Sequence, residues 1–191
     1  MSNIVLLPLE ESDREQFITD NQEAFLYGAT QEFGIRDEHY EEDGQIISRR
    51  TIERSIDHKN AETYRIIQDG KKVGGVIIKI NKEKKRGDLE ILFVSPKFHS
   101  KGIGYATWCS IEKMHPEIEV WETFTPYFEK RNIHFYVNRC GFHIVEFFNS
   151  NHQDPHAKEK CGSDDDDKGE EEDEEEKGND EMFRFEKVMY S

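Results

Sequence analysis

Residues 89–108 decide the fold that we expect for this chain, and they read LEILFVSPKFHSKGIGYATW. The apolar run at residues 89–94 predicts a strand, and the residues from Gly102 onward predict a helix. Gly102 and Gly104 stand at the junction, where the first helical amides lack partners within the helix and the helix dipole is positive. Glycine lets the backbone approach a ligand closely because it carries no side chain. The turn therefore predicts a binding site for a phosphate.

The chain before this stretch predicts two further strands. Asp69-Gly70 is a type I′ turn pair, which fits between two antiparallel strands, and it follows a β-like run at residues 63–67. Residues 73–80 form the return strand, whose nearly continuous apolar content predicts burial on both faces. A basic turn at residues 82–87 leads into the strand at residues 88–94. We expect these strands to share one sheet.

The N-terminal segment predicts one strand and two helices. An apolar run at residues 4–7, closed by Pro8, predicts the strand. Ser12 and Glu15 have the spacing of a capping box, which predicts a helix from there to about Thr30. A second helix fits residues 48–56. Three isoleucines near it are predicted to face inward: Ile47, Ile52 and Ile56.

The C-terminal part continues the alternation of helices and strands. In order, it predicts a helix at residues 102–114, a strand at 119–124, a helix at 129–139, and strands at 142–148 and 182–189. Pro116 stops the first of these helices, and Gly141 stands where a left-handed residue caps the second. The complete order, β-α-α-β-β-β-α-β-α-β-β, predicts an α/β fold with a mixed sheet between helices.

Negative charge is concentrated in one segment of the chain. The formal net charge is -15, and residues 159–181 hold 14 acidic and 3 basic side chains, which leaves the rest only weakly negative. Mutual repulsion and the entropy of ordering prevent such a run from folding alone. We therefore predict a disordered acidic loop at about residues 158–180. The length of 191 residues fits a single domain, residues 1–191, that contains this loop.

Composition also argues against several classes of partner. A strongly negative chain does not suit a nucleic-acid backbone, where binding depends on cationic side chains. No apolar run approaches the ~20 residues of a membrane-spanning helix, and the N-terminus lacks the pattern of a signal peptide. We expect a cytoplasmic protein that binds neither nucleic acid nor membrane.

The cysteines and histidines predict no disulfide framework and no metal site. The cysteines are odd in number and contain no CxxC pair: Cys109, Cys140 and Cys161. Cys140 is expected to be a small buried apolar residue rather than a nucleophile. His152 and His156 have helical spacing, but Pro155 between them disfavours a helix there.

The stretch at residues 89–108 resembles a known phosphate-binding motif. It matches neither the P-loop pattern GxxxxGK(S/T) nor the dinucleotide pattern GxGxxG, because Thr107 stands at the last glycine position. It closely resembles motif A of the GNAT superfamily of N-acetyltransferases, a strand ending in Val-x-Pro followed by Gln/Arg-x-x-Gly-x-Gly/Ala. Four residues carry the match: Val94, Pro96, Gly102 and Gly104. His99 departs from it, at the position where the family has Gln or Arg.

This resemblance implies a fold and a co-substrate. It implies a GNAT-type mixed, mostly antiparallel central sheet flanked by helices, with strands 4 and 5 splayed apart. The loop amides would hold the pyrophosphate of acetyl-CoA, and free amides of Phe93 and Val94 would pair with its pantetheine arm. The complete implied binding set is Phe93, Val94, His99, Ser100, Lys101, Gly102, Ile103, Gly104, Tyr105, Asn132 and Tyr136.

A second segment, RNIHFYVNRCGF at residues 131–142, resembles motif B of the same family. Asn132 and Tyr136 are four residues apart and would share one helix face. The resemblance implies that Asn132 meets the pantetheine arm and that Tyr136 is the general acid that protonates the departing thiolate. The alternative for Tyr136 is an aromatic packing residue.

Amine acetylation also needs a base, because only the neutral amine attacks a thioester. The family often uses a carboxylate on the central strand, and Glu90 is the nearest match in position, with Glu122 on the next strand as the reserve. The alternative for Glu90 is an ion pair with Arg86 or Lys85.

The resemblance as a whole implies direct transfer of the acetyl group of acetyl-CoA to a primary amine of a small molecule or peptide. The loop at residues 34–47 would border the acceptor, and its acidic content favours a cationic amine. Acidic loops that only keep the chain soluble are the alternative to that preference. A non-catalytic acyl-CoA-binding or protein-interaction module that uses the acidic loop is the alternative function. The sequence does not indicate an oligomeric state, and a homodimer is one of the alternatives.

Overall fold

The computed structural model describes residues 4–30, 44–99, 102–155 and 181–189. Within these residues, seven strands form one sheet. The strands are β1 Ile4–Pro8, β2 Ala61–Gln68, β3 Lys71–Asn81, β4 Arg86–Val94, β5 Val120–Pro126, β6 His143–Phe148 and β7 Met182–Val188. Their spatial order is β1-β2-β3-β4-β5-β7-β6. The predicted sequence of elements is confirmed.

Four helices flank the sheet in the described part of the chain. They are α1 Arg14–Gly28, α2 Arg49–Asp57, α3 Ile103–Met114 and α4 Lys130–His134, which continues as a π-helix at Phe135–Cys140. The π-helix is a local irregularity that the sequence patterns did not predict. No helix among the described residues is long and apolar enough to cross a membrane.

The sheet is mixed and mostly antiparallel, as predicted. β4 and β5 pair in parallel, and the other neighbouring strands pair antiparallel. β3 lies between β2 and β4 in the sheet and is buried on both faces from Val73 to Ile78. This burial explains why its sequence is almost continuously apolar rather than alternating.

The start of α1 corrects one prediction. Ser12 does not cap the helix; it lies in a short 3-10 turn, Glu11–Asp13, and α1 begins at Arg14 without a side-chain cap. Asp13, the residue at the cap position, instead accepts a hydrogen bond from Nε of Arg65 on β2 at 2.7 Å. The carboxylate serves a long-range ion pair, which sequence spacing alone does not reveal.

Two other local predictions are confirmed, the turn at Asp69-Gly70 and the left-handed Gly141, and the predicted second helix proves to have a side-chain cap. Asp69 and Gly70 both have positive φ, 50° and 74°, as a type I′ turn requires. The hydroxyl of Ser48 accepts a hydrogen bond from the Thr51 amide at 3.1 Å and caps α2. Gly141 ends the π-helix in a left-handed conformation, with φ 80°.

Apolar side chains pack on both faces of the sheet. The front face is the one that α1 and α2 cover, where Phe17 and Ile52 pack against Ile77 and Phe93. The back face is the one that α3 and α4 cover. Its core includes Trp108, Ile111, Trp121, Tyr136 and Phe185. The predicted acidic loop at residues 158–180 and most of the loop at residues 34–47 lie outside the described residues.

Candidate active site

The sheet opens between β4 and β5. The two strands pair over three positions only, Arg86 with Val120, Gly87 with Trp121, and Asp88 with Glu122. Just beyond them, the Thr123 hydroxyl donates a hydrogen bond to the Leu89 carbonyl at 2.9 Å. Past this bond β4 and β5 separate, which confirms the predicted splay.

A bulge in β4 marks the start of the gap. Ile77 faces Ile91 and Ile78 faces Leu89, so Glu90 is an extra residue on β4. A bulge bends its strand and increases the local twist, which carries the end of β4 away from β5. The Glu90 side chain is 27% accessible, and the residue as a whole is exposed, so its main chain is open to solvent at the bulge.

A cavity of about 390 Å³ adjoins the gap. Its walls come from the end of α1, the end of β4, the turn before α3, and α4 with its π-helical extension. Eight predicted binding residues line it: Phe93, Val94, His99, Gly102, Ile103, Gly104, Tyr105 and Asn132. Ser100 and Lys101 lie outside the described residues. Glu90 and Tyr136 are not part of the lining.

The turn before α3 has the backbone that an anion site needs. Gly102 is the N-cap of α3 and is left-handed, with φ 71°. Its carbonyl accepts the first intrahelical bond, from the amide of Ala106 at 3.0 Å. The amides of Ile103, Gly104 and Tyr105 precede that bond, so the helix itself offers them no acceptor. Together with the helix dipole they form a positive end beside the cavity.

His99 lies at the start of this turn, just after the short helical turn that follows β4. Its Nε2 lies 2.8 Å from the Val94 carbonyl, and its ring contacts Tyr27 of α1 edge-on at 5.5 Å. The imidazole therefore joins the end of β4 to α1, and it also lines the cavity. A contact between His99 and a pyrophosphate stays a prediction.

Several cavity residues were not identified from the sequence. Arg131 and Arg139 line the cavity, and the Arg139 guanidinium lies 5.4 Å from the centre of the Tyr105 ring. Their spacing of eight residues on one predicted helix is a signal that could have found them. Ala24, Phe25 and Gly28 of α1 also line it, as does Ala29 just after the helix. Their contribution depends on a long-range packing that no local pattern encodes.

Tyr136 lies on the back face where β4 and β5 separate. Its side chain is buried against Phe142 and Phe185, with ring centres 5.8 and 5.6 Å away. Burial raises the pKa of Tyr136 well above its usual value, and the Thr123 side chain beside its hydroxyl opposes part of this rise. Because Thr123 in turn donates to Leu89, the Tyr136 hydroxyl sits at the inner end of the gap.

Asn132 and Tyr136 do not both face the cavity, although their spacing predicted a shared face. Asn132 lines the cavity and donates a hydrogen bond to Glu129. Tyr136 belongs to the π-helical segment, whose wider turn changes which residues align along the helix. The π-helix therefore directs Tyr136 toward the sheet instead.

Glu90 is paired, but with a different residue from those that the sequence suggested. Lys85 binds Glu119 at 2.5 Å, and Arg86 binds Glu186 at 2.7 Å. Oε2 of Glu90 lies 3.0 Å from Nζ of Lys79 on β3. No local sequence pattern joins Lys79 to Glu90, because the bulge in the β3–β4 ladder is what brings the two together.

Glu122, the reserve base, is held by two guanidinium groups. Its Oε2 accepts hydrogen bonds from Nη1 of Arg184 at 2.8 Å and from Nη2 of Arg86 at 3.3 Å. Since side chains alternate along β5 and Thr123 meets Tyr136 on the back face, Glu122 lies on the front face. Glu90 and Glu122 thus flank the gap on the front face, from β4 and from β5.

The other candidate side chains have structural surroundings. Cys140 is buried, as predicted, and burial raises the pKa of its thiol to about 12, which keeps it neutral. His152 lies 2.9 Å from Glu146 and stacks on Phe148. His156 lies outside the described residues. In the part of the chain that the structure describes, no group of three or more His, Cys, Asp or Glu residues is placed to hold a metal ion.

A sheet that splays beside the uncapped start of a helix is the architecture of an acetyltransferase fold, and sequence comparison agrees. A model of the acetyltransferase (GNAT) family matches residues 16–142, which is more than half of the chain. The chain belongs to the GNAT family of acetyltransferases. A relative of similar length, the uncharacterised protein YrkN of Bacillus subtilis (strain 168), is 42% identical over 186 residues, covering 97% of this chain and 94% of YrkN.

Solved structures share the fold at low sequence identity. The PaiA N-acetyltransferase of Thermoplasma acidophilum, in complex with coenzyme A, is 17% identical with a TM-score of 0.60, covering 98% of this chain and 99% of that one. The spermidine N-acetyltransferase of Vibrio cholerae, with CoA and spermine, is 12% identical with a TM-score of 0.59, covering 97% and 95%. A GNAT acetyltransferase of Elizabethkingia anophelis with acetyl-CoA bound is 14% identical with a TM-score of 0.60, covering 99% and 100%.

Proposed function

We propose that this chain is an N-acetyltransferase that moves the acetyl group of acetyl-CoA directly to a primary amine in a ternary complex. One observation carries the proposal: the cavity lies between the uncapped start of α3 and the end of β4, beyond the last β4–β5 pair, and Tyr136 and Glu90 lie near that point on opposite faces of the sheet. A long ligand with an anionic end and a reactive end fits this arrangement. Family membership and the CoA-bound structures of similar fold support acetyl-CoA as that ligand.

In this proposal the turn at Gly102 receives the pyrophosphate. The amides of Ile103 and Gly104 donate hydrogen bonds to its oxygens, and the helix dipole favours the negative charge. The pantetheine arm then runs along Phe93 and Val94, where the end of β4 has no partner on the β5 side. Unpaired strand amides need acceptors, and the arm supplies amide carbonyls.

Tyr136 acts as the general acid. The amine nitrogen bonds to the thioester carbon, the carbon–sulfur bond breaks, and its electron pair passes to sulfur. The Tyr136 hydroxyl gives its proton to that sulfur, and solvent restores the proton afterwards. Burial favours the neutral phenol, so the proton is retained until the thiolate forms.

Glu90 acts as the general base. The attacking amine must lose a proton, and Glu90 projects beside the gap on the front face, opposite the side from which Tyr136 reaches it. One carboxylate oxygen is bound to Lys79, and the other is available to accept the proton directly or through a water molecule. Glu122 is the poorer choice because two arginines bind its Oε2.

The proposed acceptor is a cationic primary amine on a small molecule or a peptide. The support is the acidic content of residues 34–47 and 158–180, together with the carboxylates that flank the gap on the front face. An excess of negative charge raises the local concentration of a cation and speeds its association.

A thermal-shift titration with acetyl-CoA, followed by CoA-release assays, tests the function. The amine panel holds spermidine, an aminoglycoside, a lysine-containing peptide and a neutral hydroxylamine-type amine. We expect stabilisation that grows with acetyl-CoA concentration, because a ligand that binds only the folded state raises Tm. We expect CoA release with at least one cationic amine. Stabilisation without turnover on any amine would favour the non-catalytic acyl-CoA-binding module instead.

A further inference from the structure

Three titratable side chains from three elements meet on the front face beside the gap. Lys79 comes from β3, Glu90 from the bulge of β4, and His58 from the residue that follows α2. Nζ of Lys79 lies 3.0 Å from Oε2 of Glu90, and the charges of both residues affect the pKa of His58 in opposite directions. The proposed function uses only Glu90 of these three.

Lys79 occupies an unusual place for a lysine. It belongs to the most buried strand of the sheet, and its neighbours Ile78 and Ile80 are buried on the back face. Only 20% of the Lys79 side chain is accessible. A partly buried ammonium is stable only when it has a partner. The β3–β4 register places Asp88 opposite Lys79, and the bulge brings the Glu90 carboxylate to 3.0 Å from Nζ of Lys79.

Glu90, in turn, needs something to hold it. A bulge residue is outside the regular ladder, so its side chain direction is not fixed by strand alternation. A general base has to stay within hydrogen-bond reach of the amine, and small misplacements cost rate. The ion pair with Lys79 holds Oε2 and so restricts where the Glu90 carboxylate lies.

We propose that Lys79 is a positioning residue, which holds the Glu90 carboxylate at the gap so that its second oxygen can take the proton of the acceptor amine. This inference rests on the proposed function of Glu90 as the base. The positioning role also requires that no other cation replaces Lys79 as the ion-pair partner of Glu90 at neutral pH.

The nearby His58 does not act as such a cation. Burial lowers the pKa of His58, the positive charges of Lys79 and Lys59 lower it further, and the negative charge of Glu90 opposes them. His58 Nδ1 also accepts a hydrogen bond from the Asn60 amide at 3.2 Å. The lowered pKa favours the neutral imidazole at pH 7, and Lys79, at 3.0 Å, supplies the positive charge beside the carboxylate.

The test compares Lys79→Met, Lys79→Arg and Glu90→Gln, with Lys72→Met as the matched control. Lys72 lies on the same strand and also forms an ion pair, with Asp13 at 2.7 Å, but away from the gap. With the panel amine that turns over fastest, we expect Lys79→Met to lower kcat roughly tenfold, less than the ~10²–10⁴ expected for loss of a base. KM for acetyl-CoA should not change. The acid limb of the kcat/KM profile should move to higher pH by about one unit, because an opposite charge favours the carboxylate.

Lys79→Arg distinguishes loss of the positive charge from a general effect of substitution on folding. It keeps the cation, so we expect the acid limb of the wild-type profile and most of kcat to return. A Lys79→Met profile that overlays the wild-type profile, or a Lys79→Arg profile displaced like that of Lys79→Met, would overturn the positioning role. Lys72→Met should keep the wild-type profile.

A titration of His58 by NMR tests the cluster without any substrate, with His58→Asn to assign the signal. We expect Lys79→Met to raise the pKa of His58 and Glu90→Gln to lower it, since each removes the charge that acted in the opposite sense. An unchanged pKa in Lys79→Met overturns the inference even if the enzyme is active. A wild-type pH profile in Glu90→Gln would instead remove Glu90 as the base, which is a failure of the proposed function and not of the Lys79–Glu90 pair.

Discussion

Replacing Gly102 by alanine tests whether the left-handed turn, and not simply a stable fold, is what binds acetyl-CoA. Gly102 has φ 71°, and a Cβ built there meets no atom within 4 Å. The substitution therefore adds backbone strain without a steric clash. Gly70, in the β2–β3 turn, has φ 74° and the same open surroundings, and it lies outside the cavity lining. Gly70→Ala is thus a control with the same strain at a different place.

The expected loss of stability is small and equal for the two variants. A left-handed conformation costs a residue with a Cβ roughly 1–2 kcal/mol. The lower freedom of alanine in the unfolded chain offsets about 0.4–1 kcal/mol of this. Each variant should therefore lose about 1 kcal/mol of unfolding free energy, which corresponds to a Tm about 2–4 °C lower for a chain of this size. Urea and thermal denaturation measure this loss.

Binding should separate the two variants. If the turn at Gly102 relaxes to relieve the strain, the first amides of α3 move away from the phosphate oxygens. A hydrogen bond to a charged group contributes about 1.5–3 kcal/mol, so loss of one weakens acetyl-CoA binding by about tenfold or more. Calorimetric titration should show this for Gly102→Ala and wild-type affinity for Gly70→Ala. Equal affinities in both variants, or equal losses, would refute the assignment of the phosphate site to this turn.

Three further substitutions probe catalysis and stability. Tyr136→Phe should lower kcat with little change in acetyl-CoA affinity, and an unchanged kcat would remove Tyr136 as the acid. Arg65→Met should cost about 3–5 kcal/mol in urea denaturation, because it leaves the carboxylates of Asp13 and Asp20 without their buried partner. Burial raises the pKa of Asp13, but Arg65 and Lys72 outweigh burial and leave this pKa below its usual value. The stabilisation by the ion pair is therefore present above about pH 4 and is lost as pH falls through the lowered pKa. The loss of stability on acidification should be smaller in Arg65→Met. Ser48→Ala should lower the unfolding free energy by about 1 kcal/mol, and an unchanged value would mean that the α2 cap contributes nothing.

Features that depend on a few adjacent residues could be predicted from the sequence. The Asp69-Gly70 turn, the left-handed Gly141 and the glycine turn before α3 all follow from backbone conformations that few residue types adopt. The continuous apolar run of β3 likewise indicates that this strand is buried on both faces. From these, the order of elements and the mixed sheet follow with few alternatives.

Features that depend on register could not be predicted. Lys79 and Glu90 are eleven residues apart, and only the extra residue in β4 brings their charges together. The capping box at Ser12 failed for a related reason, because Arg65 from a distant strand binds the neighbouring Asp13. In both cases a long-range ion pair decided the local arrangement. Spacing rules describe what a segment can do alone, and they omit partners that the fold supplies.

The gap between β4 and β5 has a physical requirement that the structure meets with two irregularities. Parallel strands that continued to pair would satisfy their amides and leave no opening, so regular pairing has to stop at a defined point. On the front side, the bulge at Glu90 interrupts the regular ladder and places a carboxylate beside Lys79. On the back side, the π-helical segment directs Tyr136 toward the sheet, where it meets Thr123. Because Thr123 also bonds Leu89, the last contact between the strands lies beside the proposed acid. The opening of the sheet and the proposed acid are therefore placed at the same point of the fold.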